Sequence, residues 1–205
     1  SDPNTANNTA TDNTALRTGG DRCGSDPNLV ACYQLDEGSG NVYLDGVQNT
    51  VYNDGTTANS PSWVTGIAGT ALNFNGTSQY GYTPDEASLD IANQITLAAW
   101  LKPGKVATQS LVNKAVNGNT GGYELSLAAS TSTWPQKVFF RINQVSSGDT
   151  YRVNSATIYP IDGTWIHVAA TFDGATMRMY INGVENGTPV SAPVPIATNG
   201  LPLSI

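Results

Sequence analysis

The chain has 205 residues, 39% of them hydrophobic and only 12% charged. That is enough apolar material for a sizeable core in one domain, and it is less charge than the roughly 25% usual for soluble domains, so the polar surface rests on Asn, Thr, Ser, Gln and Gly. A formal net charge of −7 excludes a nucleic-acid backbone as partner, because that affinity comes from Lys and Arg neutralising phosphates. It disfavours an anionic membrane surface for the same reason, and no apolar run approaches the roughly 20 residues that span a bilayer.

Residues 1–28 read as an arm or linker. The stretch SDPNTANNTATDNTALRTGGDR (1–22) holds no aromatic residue, and Leu16 is its one large aliphatic side chain. Such a composition cannot bury enough apolar surface to offset its ordering entropy. It is a linker, a mobile arm, or a segment that orders only against a partner. Cys23, at the end of this region, and Cys32 are the two cysteines of the chain. In an oxidising compartment they close a small loop, a cross-link of about 2–3 kcal/mol; the alternative is a pair of free thiols. A metal site needs more ligands than these two. Paired cysteines go with export, so the chain is expected to be secreted or held at the cell surface. It begins Ser-Asp-Pro, and the missing signal peptide therefore says nothing against export.

Residues 29–205 are expected to form one all-β domain. LVACYQL (29–35), ALNFN (71–75), ITLAAWLK (95–102), SLVNKA (110–115), YELSLA (123–128), KVFFRIN (137–143), WIHVAATF (165–172) and MRMYIN (177–182) all read as strands. Within 165–172, Ile166, Val168, Ala170 and Phe172 share one face, while Trp165, His167 and Thr171 take the other. Met177, Met179 and Ile181 alternate with Arg178, Tyr180 and Asn182, the period of two that a half-buried antiparallel strand requires. Asp173-Gly174 and Asn182-Gly183 supply the positive φ angles of tight hairpins. No stretch carries a helical period with caps at both ends. Many short strands with such turns predict a sandwich or barrel.

Four segments carry a family resemblance. LVACYQLDEGSGNVYLDG (29–46), GTALNFNGTSQYGYTP (69–84), ITLAAWLKP (95–103) and WIHVAATFDGATMRMYINGVENG (165–187) resemble, in this order, the motifs of the laminin G-like jelly-roll family, within the concanavalin A-like lectin/glucanase superfamily. The resemblance implies a two-sheet antiparallel jelly-roll sandwich, with an inward Trp on the strand at 95–102. It also implies a final strand after LPLSI (201–205) that pairs close to 29–35. That strand is absent from the sequence, so the sandwich is expected to lack it. Two readings follow. The chain is a fragment, or the open edge takes a strand from another copy, such as its arm 1–22, by β-augmentation.

Related glucanases place two carboxylates on one strand face as Glu-x-Asp-x-x-Glu. The four glutamates here, Glu37, Glu86, Glu124 and Glu185, do not fall in that spacing, although retaining glycosidases need a carboxyl pair about 5–5.5 Å apart. Asp36 and Glu37 are adjacent, and a strand would point them to opposite faces. His167, the single histidine, matches a family position and reads as a hydrogen-bonded structural residue. No Ser-His-Asp arrangement and no phosphate-binding glycine motif emerges. No catalytic residue is assigned.

Calcium is the ion that the resemblance implies. The segment from Asp45 through Asn49 to Asn53, Asp54 and Gly55 resembles the family's Asp/Asn/Gly loop, and Asp45, Asn49 and Asp54 are its candidate ligands, hard oxygens of the kind calcium takes. The alternative is an Asx-rich turn that caps its own backbone. For a glycan, Trp134 in the polar loop Ser-Thr-Ser-Thr-Trp-Pro-Gln is the candidate platform, with Tyr151 and Arg152 sharing its rim, since a sugar offers an apolar face and a polar edge. The alternative is a loop Trp folded over the sandwich edge. Trp100 and Trp165 are expected to be structural, and Trp63 half-buried. Asn7, Asn75 and Asn186 lie in Asn-x-Ser/Thr sequons.

Three functions compete. The first is a non-catalytic extracellular recognition module, glycan-binding or adhesive, for a polysaccharide or glycoconjugate. The second is a subunit of a filament or surface layer assembled by strand donation, and the third is a glycan-degrading enzyme with an unrecognised site.

Overall fold

The computed structural model describes residues 23, 26–47, 52–116, 118, 120–144 and 150–205; the arm 1–22 and Asn49 lie outside them. The chain divides into two compact units, residues 1–79 and 80–205.

In the first unit β1 (Val42–Tyr43) pairs antiparallel with β2 (Gly55–Ala58), and β3 (Ser62–Thr65) with β4 (Thr70–Asn73). Tyr43 is fully buried and stands opposite Gly55, where a Cβ would collide with its ring. Tyr33 packs edge-on against Tyr43, with ring centroids 4.9 Å apart. The strand expected at 29–35 does not form, and one bridge, Tyr33 to Asp45, is its whole ladder. The reason is that side chains take its backbone groups. The Cys32 N–H donates to Asp45, the Val30 carbonyl accepts from Asn53 Nδ2, and the Leu35 carbonyl accepts from Thr70 Oγ1. Leu35 itself has φ +55°, which no strand accommodates. Asp36 and Glu37 also part company: Asp36 accepts the Thr70 amide, and Glu37 the Leu44 amide.

The second unit holds two antiparallel sheets. Six strands, β5 (Tyr80–Thr83), β7 (Gln109–Lys114), β8 (Tyr123–Leu127), β9 (Lys137–Ile142), β10 (Arg152–Ile158) and β15 (Leu203–Ser204), lie in the order β5-β15-β7-β8-β9-β10. The other sheet runs β13-β12-β11-β6, from β6 (Ile95–Leu101), β11 (Ile166–Phe172), β12 (Thr176–Ile181) and β13 (Val184–Glu185), with β14 (Val190–Ser191) also on β12. A 3-10 turn, Ala87–Leu89, lies between β5 and β6. The segment LPLSI thus enters the interior of a sheet. Ser204 pairs with Tyr82 on one side and Asn113 on the other, and Ile205 exchanges two backbone bonds with Gly81.

The alternation of 166–172 and 177–179 is the one expected. Ile166, Val168, Ala170, Phe172, Met177 and Met179 are buried, as are Leu125, Leu127, Phe140, Ile142 and Val153 of the six-stranded sheet. Each such large side chain contributes about 1.5–3 kcal/mol through removal from water. Asn182 (φ +51°) and Gly183 (φ +79°) turn β12 into β13, the backbone that a two-residue hairpin needs.

Lys114 ends β7 as the most deeply buried charge among the described residues of this unit. Its ammonium donates to Asp85 (2.5 Å) and to the carbonyls of Asn199 and Leu201 (2.8 Å each), with Asp90 at 3.3 Å. A buried charge survives when such partners replace its water, and these ones anchor the segment leading into β15.

Candidate functional site

Cross-strand partners share a sheet face, so the register shows what the outer face of the six-stranded sheet carries. Tyr82, Ser204, Asn113, Glu124, Arg141 and Arg152 form one row across it, and Ser110, Ser126, Phe139 and Asn154 the next. Tyr123, Leu125 and Leu127 point the other way, into the core.

Glu124 is the charged centre of this face and is only 5% exposed. Its Oε1 accepts from Ser126 Oγ (2.7 Å), and its Oε2 accepts from Arg141 Nε (2.7 Å) and Gln144 Nε2 (2.9 Å). Three donors, one of them cationic, converge on the carboxylate. The Oε1 of Gln144 is buried without a hydrogen-bond partner.

Beside this network stands Trp134, in the loop from β8 to β9. The Gln136 N–H donates to the Ala129 carbonyl (3.4 Å), and Gln136 Nε2 to the Tyr159 carbonyl (2.8 Å), which fixes the loop's return. The Arg152 guanidinium lies over the Trp134 ring at 4.7 Å and over the Phe139 ring at 3.9 Å, while its Nε donates to Asn154 Oδ1 (2.9 Å). Such cation–π contacts contribute about 0.5–2 kcal/mol each. Trp134 remains 37% exposed, so its ring is positioned on one side and open on another.

The structure therefore brings Trp134 and Arg152 together. Tyr151 adjoins them through its backbone, its carbonyl accepting from the Ile142 N–H (3.1 Å). Sequence reasoning did not single out Glu124, Arg141, Ser126 or Gln144 as a group. The available signal was alternation: Glu124 and Ser126 occupy the polar parity of YELSL, and Arg141 that of KVFFRI.

Asp45 is fully buried. One oxygen accepts the Cys32 and Val47 amides (2.9 and 3.0 Å), and the other accepts the Asn53 amide and Asn53 Nδ2 (3.1 and 3.3 Å). Asp54 accepts the Asp45 amide (2.8 Å). A calcium ion would have to displace these N–H donors, so the described residues do not fit a ready calcium site. Among the described residues no group of three or more His, Cys, Asp or Glu is placed to hold a metal. Cys23 and Cys32 form a disulfide beside this knot, where the Gly46 N–H donates to the Cys32 carbonyl (2.8 Å).

The inward Trp expected on β6 is a correction. Trp100 pairs with His167 on the outer face of the smaller sheet and is 52% exposed. The inward positions of β6 belong to Ile95, Leu97, Ala99 and Leu101, which pair with the core-facing Phe172, Ala170, Val168 and Ile166. Trp63 is half-buried as expected, its Nε1 donating to the Gly40 carbonyl (3.0 Å).

Residues 75–205 match the concanavalin A-like lectin/glucanases superfamily. No curated protein sequence matches the chain. Among the solved structures that share its fold are two with TM-scores above 0.5. Domain 4 of AbnA, an extracellular arabinanase from Geobacillus stearothermophilus solved with arabinotriose, is 20% identical, with a TM-score of 0.55 over 74% of this chain and 72% of that one. The binding domain of Paraclostridial Mosquitocidal Protein 1 is 15% identical, with a TM-score of 0.58 over 83% of this chain and 44% of that one. Among the described residues no helix is long and apolar enough to cross a membrane.

Proposed function

We propose that this chain, which belongs to the concanavalin A-like lectin/glucanases superfamily, is a non-catalytic glycan-binding module whose site is the outer face of the six-stranded sheet around Trp134. The observation that carries this reading is the Trp134 ring, held over the Arg152 guanidinium yet partly exposed, beside hydrogen-bonding groups of the same face. An indole fixed before the ligand arrives loses little conformational freedom on binding. It offers an apolar surface to the C–H face of a sugar, while Asn113, Ser110 and Asn154 offer hydrogen bonds to its hydroxyls. The arabinotriose bound to the AbnA domain supports a glycan as the ligand class.

Binding without catalysis is the better reading of Glu124. Its oxygens are committed to Arg141, Gln144 and Ser126. A retaining glycosidase would need a second carboxyl about 5–5.5 Å away, and the two described rows of this face hold no other. The Cys23–Cys32 disulfide supports an oxidising, extracellular setting.

Affinity electrophoresis through gels containing arabinan, xylan, β-glucan or pectin tests the site. The chain should be retarded by at least one of them, and Trp134→Ala should restore free mobility while leaving the unfolding transition cooperative. Undiminished retardation of Trp134→Ala would remove the site from this face. Release of reducing ends by the wild-type chain would overturn the non-catalytic reading.

A further inference from the structure

The outer face of the smaller sheet carries a second aromatic cluster, independent of Trp134. Trp100 and His167 are cross-strand partners with ring centroids 5.2 Å apart and planes tilted by 60°. At the same end of the β6–β11 ladder, Lys102 places its Nζ over the ring of Trp165, 5.4 Å from the centroid. In the next row the partners are Ala98 and Ala169, and beyond them Thr96 and Thr171. Beside the indole, the same face therefore continues as a floor of two alanines that ends in two threonines.

Trp100 is 52% exposed, more than Trp134 at 37%. A single exposed aliphatic residue needs no explanation, but a large apolar surface flanked by further aromatics and polar groups marks a contact site. The platform is rigid beneath it. The His167 amide donates to Asn182 Oδ1 (2.9 Å), and the His167 carbonyl accepts from the Asn182 amide (2.8 Å), so the hairpin turn holds the backbone that orients the imidazole.

We infer that Trp100, His167, Trp165 and Lys102 form a second glycan site, selective for a sugar bearing an anionic group. The apolar side of a pyranose fits against the indole above the alanine floor. The ammonium of Lys102 supplies a charge-assisted partner for a carboxylate or sulfate on the ring. Neither of the two rows that hold these residues contains a carboxylate. Asp162, on the preceding turn, has its carboxylate bound back onto the Thr164 amide (3.0 Å). The net charge of −7 does not oppose local capture, since exposed charges beyond about 8 Å are largely screened at physiological salt. It does mean that this chain will not bind a polyanion indiscriminately.

Titration of the intact chain with oligogalacturonate, dextran sulfate and neutral dextran, followed by calorimetry, tests the site. The variants are Trp100→Ala, Lys102→Gln and Trp134→Ala. Binding to one anionic glycan that falls at least about tenfold, the loss expected of a central contact, in both Trp100→Ala and Lys102→Gln supports the site. That ligand being oligogalacturonate assigns the anion as a carboxylate; its being dextran sulfate assigns a sulfate. Persistence of this binding in Trp134→Ala separates it from the six-stranded face. Anionic binding unchanged in Lys102→Gln, a surface change that leaves the fold intact, overturns the inference, as does the absence of any anionic binding. Loss of the anionic binding in Trp134→Ala alone would assign it to the first site and overturn the second.

Discussion

The two outer sheet faces of the second unit solve the same problem in opposite ways. The six-stranded face sinks its polar groups into a closed network. Glu124 and Ser126 are almost fully buried, and the Arg152 guanidinium spreads over Phe139 beneath the Trp134 ring. The smaller sheet's face has no buried charge in the rows between Trp100 and Thr96. It exposes the Trp100 indole, Ala98 and Thr96 to solvent, beside the half-buried His167, Ala169 and Thr171. A buried ion pair is costly to break, because removing one partner strands the other, whereas an exposed ring is cheap to remove. A change on the first face therefore puts the fold at risk, whereas one on the second does not.

The largest expected effect tests that coupling. Glu124→Gln should lower stability by about 3 kcal/mol, the scale for removing one partner of a buried pair, as read from urea unfolding midpoints. A change below the error of the measurement would mean that the network is not tight. Trp134→Ala should come next. Beyond its loss of binding it forfeits the contact with Arg152, about 1 kcal/mol. Trp100→Ala should alter stability by less than about 0.5 kcal/mol, as surface changes do, and a larger loss would show that the Trp100–His167 pair is structural.

Acid sharpens the contrast on the smaller sheet. The Thr176 and Ala175 amides and Arg178 hold the Asp173 carboxyl below the usual carboxylate range. Its stabilising contribution is thus present above the unfolded pKa, about 3.9, and is lost as pH falls through the lower folded value. Asp173→Asn should flatten the fall of the unfolding midpoint below about pH 4; an unchanged acid limb would mean that the turn forms without this cap. The smallest effect should be that of calcium. If N–H donors already fill the Asp45 carboxylate, then calcium or a chelator should leave the melting temperature where it is. A rise on adding calcium would return Asp45 to a ligand set.

Much of the molecule was legible before folding. The strands at 95–101, 109–114, 123–127, 137–142, 166–172 and 176–181 lie where period-two runs and Gly-containing turns put them. The strands at 55–58, 62–65, 80–83 and 152–158 were missed because Gly, Thr, Ser and Asn dilute their apolar signal. Residues 29–35 failed in the other direction: a run of β-formers became a looped segment because Asp45, Asn53 and Thr70 claim its backbone groups. At the site, Trp134 and Arg152 were legible as an aromatic and a cation flanking strands. Glu124 with its partners Arg141, Gln144 and Ser126 was not, since a lone glutamate in a strand says nothing of what will stand opposite it.

The sequence by itself determined the all-β class, the two hairpin turns and which residues of each strand share a face, because these depend on neighbours a few bonds away. Alternation alone already groups Trp100 with Thr96 and Ala98, against the inward placement that the family pattern implied. Only the tertiary structure decided that this face meets solvent. It also decided that Arg141 and Gln144 converge on Glu124, and that Arg152 lies over both Phe139 and Trp134. These contacts join residues from different strands, and strand register, which no local propensity encodes, is what brings them within reach.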